Sequence, residues 1–577
     1  MFVDARQEDE ARQVPCTVCV IGAGAAGITM ALELERLGID AVVLESGGFR
    51  PDEQTMDLYR GESVGIPYEF GDGFRSRFLG GGSNCWGGWC RPLEREDLVR
   101  RDWVPHSGWP ISREELMPYY TRAHQVLSLG PENFDVGYWA RAIDRPDVRR
   151  MPLTSGQVED SISQFSRPTR FGKHYRAELR AARHVRVYLY ANVVDIETES
   201  TGQSVRTVQV RTLSGRRFSV SARIVVLACG GIENARILLA CNRNHAGGLG
   251  NANDLVGRYF MDHPRLMLGK LRFSESWRRN KLYDIKFHYL NRTLSLNGTH
   301  VAAQMSVSAK AQEREGLLNG RIWFSSFFPG EGTAAAAAIV RMKHRLHLKV
   351  DPQHSFLRDA ITLARDPWST LNFVAARQMP AEGSTFFKEL HFRLIKEAEF
   401  QMICEPAPNP DSRVTLAVAR DALGMPRARV DWRLDELVKR TFDRSIAIVA
   451  QELREAGIAE VLEHEPLQGR PWPRSLEGTW HHMGTTRMHD SPTRGVVDRN
   501  CRIHGMSNLY VTGSSVFPTA GANFPTITLV ALALRLVEHL RSQLQQPDAT
   551  AGAGVCVAPA STSESRGEPV YRIPHPG

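Results

Sequence analysis

Cys16-Thr17-Val18-Cys19-Val20-Ile21-Gly22-Ala23-Gly24-Ala25-Ala26-Gly27 and, a helix's length later, Ala41-Val42-Val43-Leu44-Glu45 are the two stretches that decide the fold. An apolar strand enters Gly22-x-Gly24-x-x-Gly27, a helix-like pattern follows, and a second apolar strand ends on an acid. This is the pattern of a βαβ unit. Gly22 allows the tight turn, Gly24 lets a pyrophosphate approach the backbone, and Gly27 lets helix and strand pack closely. The helix N-terminus then faces the phosphates. Glu45 follows Gly27 by 18 residues, where a carboxylate accepts hydrogen bonds from an adenosine ribose. A dinucleotide site is expected, and this unit does not separate NAD from FAD.

The rest of the chain is long enough to surround such a unit with a second domain. It has 577 residues, of which 42% are hydrophobic and 24% charged, the balance of a soluble globular protein. No apolar run reaches the length of a membrane span, and the first fifteen residues are charged, without a signal-peptide core. The expected compartment is the cytoplasm. Nine scattered cysteines do not form a disulfide framework. Cys16-x-x-Cys19 has the spacing of a redox or zinc pair, but both residues belong to a strand ahead of the glycine turn, and no metal site is expected. The net charge of +8 is spread along the chain, with one denser patch at Arg341-Met342-Lys343-His344-Arg345-Leu346-His347-Leu348-Lys349, read as a solvated face. Neither a nucleic-acid partner nor a membrane span is expected.

Moving outward, Arg77-Phe78-Leu79-Gly80-Gly81-Gly82-Ser83-Asn84-Cys85-Trp86-Gly87-Gly88 has too many glycines for a helix or strand. It reads as a loop drawn close to a planar ligand. Ser112 and Glu115 have the spacing of a capping box. Strand periodicity returns at Val185 to Tyr190, Val193 to Ile196, Val205 to Val210 and Phe218 to Val220. These read as a small meander before Ile224 to Ala228, a strand that rejoins the parallel sheet ahead of a helix at Ile232 to Leu239. Residues 265–475 suggest a separate domain on an antiparallel sheet. Near the end, Trp480-His481-His482-Met483-Gly484 precedes the strand Asn508 to Thr512, the turn Gly513-Ser514-Ser515, then Gly521-Ala522-Asn523-Phe524-Pro525-Thr526 and an apolar helix. A strand, a glycine turn and a helix would complete the nucleotide domain and place residues 480–540 beside the cofactor.

These segments together resemble the glucose–methanol–choline (GMC) family of flavin oxidoreductases. Four motifs match in order: the N-terminal fingerprint, the Gly80 to Gly88 loop, the Pro408-Asn409-Pro410-Asp411-Ser412-Arg413-Val414 turn, and the His-x-Met-Gly through Asn and Pro-Thr C-terminus. The resemblance implies FAD and an α/β fold, with a Rossmann-like FAD-binding domain built from discontinuous segments and a second α+β domain on an antiparallel sheet. Its implied layout is an FAD-binding part at 14–264 with a flavin loop at 77–91, a substrate-binding domain at 265–477, the catalytic C-terminal part of the FAD domain at 478–545, and a tail at 546–577.

The resemblance also implies oxidation of a CH–OH group of an alcohol, sugar or polyol, with hydride leaving for flavin N5 and His481 taking the hydroxyl proton. His482 is the rival base, since adjacent side chains on an extended segment face opposite ways. Asn523 would fix the substrate oxygen. Cofactor contacts are implied for Gly81, Ser83, Asn84, Cys85, Val193, Gly513 and Ser514, beside Gly22, Gly24, Gly27 and Glu45. Cys85 stands where some relatives carry a histidine that anchors the flavin, so FAD is expected to be non-covalent and Cys85 a small buried thiol. Phe524, inserted before Pro525, is expected to be extended, so that only one of Asn523 and Phe524 faces the flavin. The electron acceptor, whether oxygen, a quinone or a partner protein, is left open. A flavin-containing lyase of the same fold and a subunit of an electron-transfer dehydrogenase are the alternatives.

Overall fold

The computed structural model describes residues 1–69, 75–166, 169–277, 280–285, 295–296, 298–327, 333–346, 356–378 and 397–545. The tail at 546–577 and the end of the basic patch, 347–349, lie outside the described residues. Within that patch Arg341 is half-buried and donates to Asp359.

The fingerprint strand Gln13–Ile21 sits in an eight-stranded sheet, flanked in parallel by Ala41–Leu44 and by Arg217–Leu227. Val18, Cys19, Val20 and Ile21 are buried, as are all four residues of Ala41–Leu44. Unbroken apolar runs of this kind belong to parallel strands covered on both faces. Helix Ala25–Arg36 follows the fingerprint, and Leu509–Val511 returns from the far end of the chain to pair with Val225–Leu227. Two glycines make the turn possible. Gly22 has φ 104°, and a Cβ there would lie 2.8 Å from the Ala228 carbonyl oxygen, while a Cβ at Gly27 would strike the Gly22 carbonyl.

The expected meander begins one strand later than its sequence suggests. Val185–Leu189 is a parallel strand between Ala41–Leu44 and Phe2–Asp4, because its apolar residues continue the buried parallel core. The antiparallel part is Asn192–Thr198, Val205–Arg211 and Arg217–Leu227. The last is one 11-residue strand that leaves the meander and enters the parallel sheet without a break.

A second eight-stranded sheet is antiparallel and runs Ala459–Glu463, Arg265–Phe273, Glu397–Cys404, Gly320–Ser326, Thr299–Val307, Val158–Phe165 and Trp89–Cys90, with Ser295–Leu296 beside Thr299–Val307. Helix Glu436–Glu455 covers it, burying Val438, Phe442, Ile446, Val449 and Leu453 at helical spacing. Residue 264 is therefore not a boundary between sheets. Val158–Phe165 pairs along its whole length with Thr299–Val307, and Trp89–Cys90 pairs with Val158–Phe165. Those pairings between distant segments carry no local sequence signal. A three-stranded sheet of Arg413–Arg420, Pro426–Trp432 and Gly61–Gly65 completes the strands. The capping box is present, with Ser112 Oγ accepting from Glu115 N and Glu115 Oε1 accepting from Ser112 N. Among the described residues no helix is long and apolar enough to cross a membrane, and no cluster of three metal-ligating side chains occurs.

Candidate active site

A cavity of about 540 Å³ starts at the fingerprint turn and reaches the second sheet. Gly22, Gly24 and Ala25 line its start. Helix Ala25–Arg36 begins there with no side-chain cap on Gly24, so its first backbone N–H groups have neither an intrahelical nor a capping partner. That is a seat for phosphate. Glu45 lines the same region and is 5% exposed. Its carboxylate accepts from Ala23 N at 3.0 Å and Gly47 N at 2.9 Å, and burial nevertheless raises its pKa above the ordinary carboxylate value. Val193 and Cys229 complete the wall beside it.

The glycine loop closes over the middle of the cavity as a 3-10 turn, Gly81–Asn84. Gly81 packs on the fingerprint, where a Cβ would come within 2.9 Å of Gly24 Cα. Ser83 Oγ donates to Gly80 O and accepts from Phe171 N, fixing the loop while Ser83 still lines the cavity. Asn84 is not brought to the cavity: its amide donates to Leu79 O, which satisfies the loop's own backbone. Cys85 is half-buried on the cavity wall, with Sγ 3.3 Å from Gly82 O, and so is less buried than expected because the loop holds it at the cavity surface. Gly513 and Ser514 also line the cavity, and Ser514 Oγ donates to His482 O at 2.6 Å.

Asp262 organises the histidine segment. It is fully buried and accepts from Tyr68 OH, Thr479 N, Thr479 Oγ1, Trp480 N and His481 N at 2.8–3.2 Å. These bonds hold Trp480 at φ 59°, a conformation that a bulky residue keeps only when its surroundings fix it. Both His481 and His482 consequently line the cavity, where an extended segment would have presented one. His481 Nδ1 lies 2.8 Å from Thr479 Oγ1 and 2.9 Å from His263 Nδ1. Burial, then the neighbouring His263, His482 and Arg265, holds its pKa well below the ordinary 6.5. His482 is held at about 3, chiefly by burial and then by Arg75. Its ring stacks on Phe260, and its Nε2 is buried without a hydrogen-bond partner among the described residues.

Phe524, not Asn523, faces the cavity. Asn523 is 1% exposed and turned into the protein: its Oδ1 accepts from Arg321 Nε at 2.9 Å, and its Nδ2 donates to Pro92 O at 2.8 Å. The catalytic role expected for Asn523 is therefore corrected, because both ends of its amide are already engaged away from the cavity. Phe524 packs with Trp89, Trp323 and His481 at ring-centroid distances of 4.9, 6.3 and 5.6 Å. Asn523→Ala is accordingly expected to reduce stability by about 1–3 kcal/mol, the cost of orphaning buried partners, rather than to slow reduction of the cofactor. Chemical denaturation and rapid-reaction kinetics on the same variant check this.

Several residues of the site had no signal that sequence reading used. Asp262 and His263 lie 219 and 218 residues from His481 and reach it only through the fold. Arg75 and Arg77 line the cavity and pair with buried Glu233, whose pKa falls from 4.5 to about 2 because the arginine charges outweigh burial. Thr479, two residues before His481 and adjacent to the histidine motif, was also missed.

A parallel sheet with a glycine fingerprint, a loop packed on that fingerprint and a second sheet around one cavity define a dinucleotide-dependent α/β enzyme. Residues 17–242 match the family model "FAD dependent oxidoreductase" and residues 408–533 match "GMC oxidoreductase". The chain thus carries an FAD-dependent oxidoreductase domain in its N-terminal part and a GMC oxidoreductase domain in its C-terminal part. It is similar to 2-methyl-1,2-propanediol dehydrogenase of Mycolicibacterium austroafricanum, 24% identical over 91% of this chain and 94% of the relative. It is also similar to the fructose dehydrogenase large subunit of Gluconobacter japonicus, 22% identical over 92% and 98%. Among solved structures, pyridoxine 4-oxidase from Mesorbium loti shares the fold, with a TM-score of 0.53, 17% identity and coverage of 91% and 99%.

FAD is the cofactor of this fold, and the residues present fit it. The uncapped helix N-terminus offers donors to a pyrophosphate, Glu45 offers a carboxylate beside it, and the partnerless Nε2 of His482 offers a buried polar contact further along. The thiol of Cys85 already engages Gly82 O, and purified protein is expected to be yellow and to release FAD on acid precipitation. Colour retained in the pellet would instead assign a covalent link to Cys85.

Proposed function

We propose that this enzyme oxidises the CH–OH group of a small alcohol, with His481 as the base that takes the hydroxyl proton. The observation that carries this reading is the placement of a neutral imidazole on the cavity wall, its Nδ1 edge occupied by Thr479 and His263 and its remaining ring nitrogen, Nε2, unbonded among the described residues. A base already neutral below pH 6.5 accepts a proton at neutral pH without first losing one. FAD, when bound, supplies the two-electron acceptor that makes removal of the carbinol hydride possible.

The division of the cavity supports the roles assigned along it. Gly22, Gly24 and Glu45 suit the adenosine diphosphate, with Gly27 supporting the turn and Val193 beside it. Gly81, Ser83, Cys85, Gly513 and Ser514 suit the remainder of the cofactor. The substrate then meets His481 and the aromatic group Trp89, Trp323 and Phe524, with Gln401 among the polar groups that line this part. A wall of this composition excludes water from the carbinol and favours an alcohol with an apolar substituent over a free sugar. The proposed division of labour along the sequence keeps the layout 14–264, 265–477 and 478–545, with 89–90 and 158–165 adding strands to the substrate side.

The relatives support a CH–OH substrate and no narrower class: the names of two of them are those of a diol dehydrogenase and a fructose dehydrogenase subunit. The electron acceptor and the compartment, proposed as the cytoplasm, are separate questions from this chemistry. The test is competitive: under anaerobic conditions an alkyl- or aryl-substituted secondary alcohol should reduce the enzyme faster than a free hexose, and Phe524→Asn should narrow the difference. Preference for the hexose in the wild type would refute the apolar-alcohol reading.

A further inference from the structure

We infer that His263 is a positioning residue that, with Thr479, fixes His481 in its Nδ1–H tautomer, so that Nε2 carries the lone pair available to substrate. The inference deepens the reading of His481 as the base and rests on it.

The argument is hydrogen-bond bookkeeping along two chains that meet at one atom. His263 is 1% exposed, and its Nε2 lies 2.8 Å from the carbonyl oxygen of Gly521. A carbonyl cannot donate, so His263 Nε2 carries a proton. In a neutral imidazole the other nitrogen is then an acceptor, and His263 Nδ1 presents a lone pair to His481 Nδ1 at 2.9 Å. The second chain starts at Thr479. Its hydroxyl lies 3.0 Å from Asp262 Oδ1 and 3.3 Å from His263 O, both acceptors, and its single proton is claimed there. The hydroxyl oxygen is left to accept from His481 Nδ1 at 2.8 Å. Both chains demand a proton on the same nitrogen.

The opposite tautomer would set the bare Nδ1 of His481 against the lone pair of His263 and the oxygen of Thr479. Relieving that clash by turning His263 into its other tautomer would set a bare Nε2 against the Gly521 carbonyl. Relieving it by charging His263 is opposed by burial, which lowers the pKa of this imidazole despite Asp262 beside it. The charged and titratable groups facing His481 are Asp262, His263, His482 and Arg265. Asp262 also fixes the backbone on which both chains depend, by accepting from the N–H groups of Thr479, Trp480 and His481. When Nε2 takes a proton, the imidazolium that forms keeps its Nδ1–H on two acceptors, and no heavy atom moves.

The test is the side-chain 15N spectrum of the FAD-loaded, oxidised enzyme labelled in histidine, with the His481 signals assigned as those missing from His481→Asn. The expected spectrum shows a protonated Nδ1 and an unprotonated Nε2 near neutral pH. In the double variant His263→Leu, Thr479→Val the two signals should move towards a tautomer mixture. Anaerobic flavin reduction should slow about 10–100-fold, by analogy with the loss when the hydrogen-bond partner of a metal-ligating histidine is removed. If the double variant does not fold, Thr479→Val alone and the wild-type spectrum decide. A proton on Nε2 of His481 in the wild type, or on both nitrogens, overturns the inference. The expected spectrum together with undiminished reduction by His481→Ala would overturn the base assignment alone.

Discussion

His481→Ala is expected to lower the rate of flavin reduction by roughly 10²–10⁴, the usual contribution of a general base, while FAD stays bound. The cofactor should remain because the fingerprint turn, Glu45 and the glycine loop are separate from the histidine segment in sequence and in hydrogen bonding. His482→Ala should have a smaller effect on reduction. Its ring stacks on Phe260 and its backbone carbonyl accepts from Ser514, so its side chain is placed for packing and a cofactor contact. Stopped-flow reduction of both variants by the same alcohol compares them directly. A larger loss in His482→Ala would move the base by one residue.

Arg101→Met is expected to cost about 3–5 kcal/mol of stability, the range for removing one partner of a buried ion pair. Arg101 donates to both oxygens of Glu405 at 2.8 and 2.6 Å, and Glu405 is fully buried. Without the guanidinium, Glu405 keeps only the Asn319 N–H among its named partners and stands near Asp97, whose pKa is already pushed up to about 6 by burial and by Glu405. The damage should reach the active site. Asp97 O accepts from Thr519, and a Cβ on Gly521 would lie 2.7 Å from the Asp97 carboxyl carbon, so the loop that supplies the carbonyl for His263 leans on this network. The double variant Arg101→Met, Glu405→Leu should recover part of the loss, since an apolar pair leaves no buried charge. Urea midpoints of the three proteins check the sequence of stabilities.

How much of this was legible in the chain follows from how local each signal is. The fingerprint, Glu45 and the two strands around them are set by neighbours in sequence, and the structure places them as one βαβ unit. The glycine loop announced itself because twelve residues that include five glycines fit no regular element. Val185–Leu189 was misplaced because an apolar strand in a parallel sheet and one in a meander look alike over five residues. The second sheet's strands at 89–90 and 158–165 could not be assigned from sequence, since their partners lie far along the chain.

The site divided in the same way. His481 was legible because it lies in a compact motif, and His263 was not, because its role depends on a contact across 218 residues. Asn523 and Phe524 were correctly read as facing opposite ways, but periodicity alone does not say which faces inward. Arg321 and the Pro92 carbonyl decide it by engaging the amide, and neither is near Asn523 in sequence.

The central claim, that this enzyme removes hydride from a carbinol onto FAD, is tested most directly by anaerobic titration of the holoenzyme with an alcohol while flavin absorbance and carbonyl product are followed together. The expected result is bleaching of the flavin with one carbonyl formed per flavin reduced. Flavin that stays fully oxidised, with no carbonyl formed, across a panel of primary and secondary alcohols in the folded holoenzyme would contradict the claim.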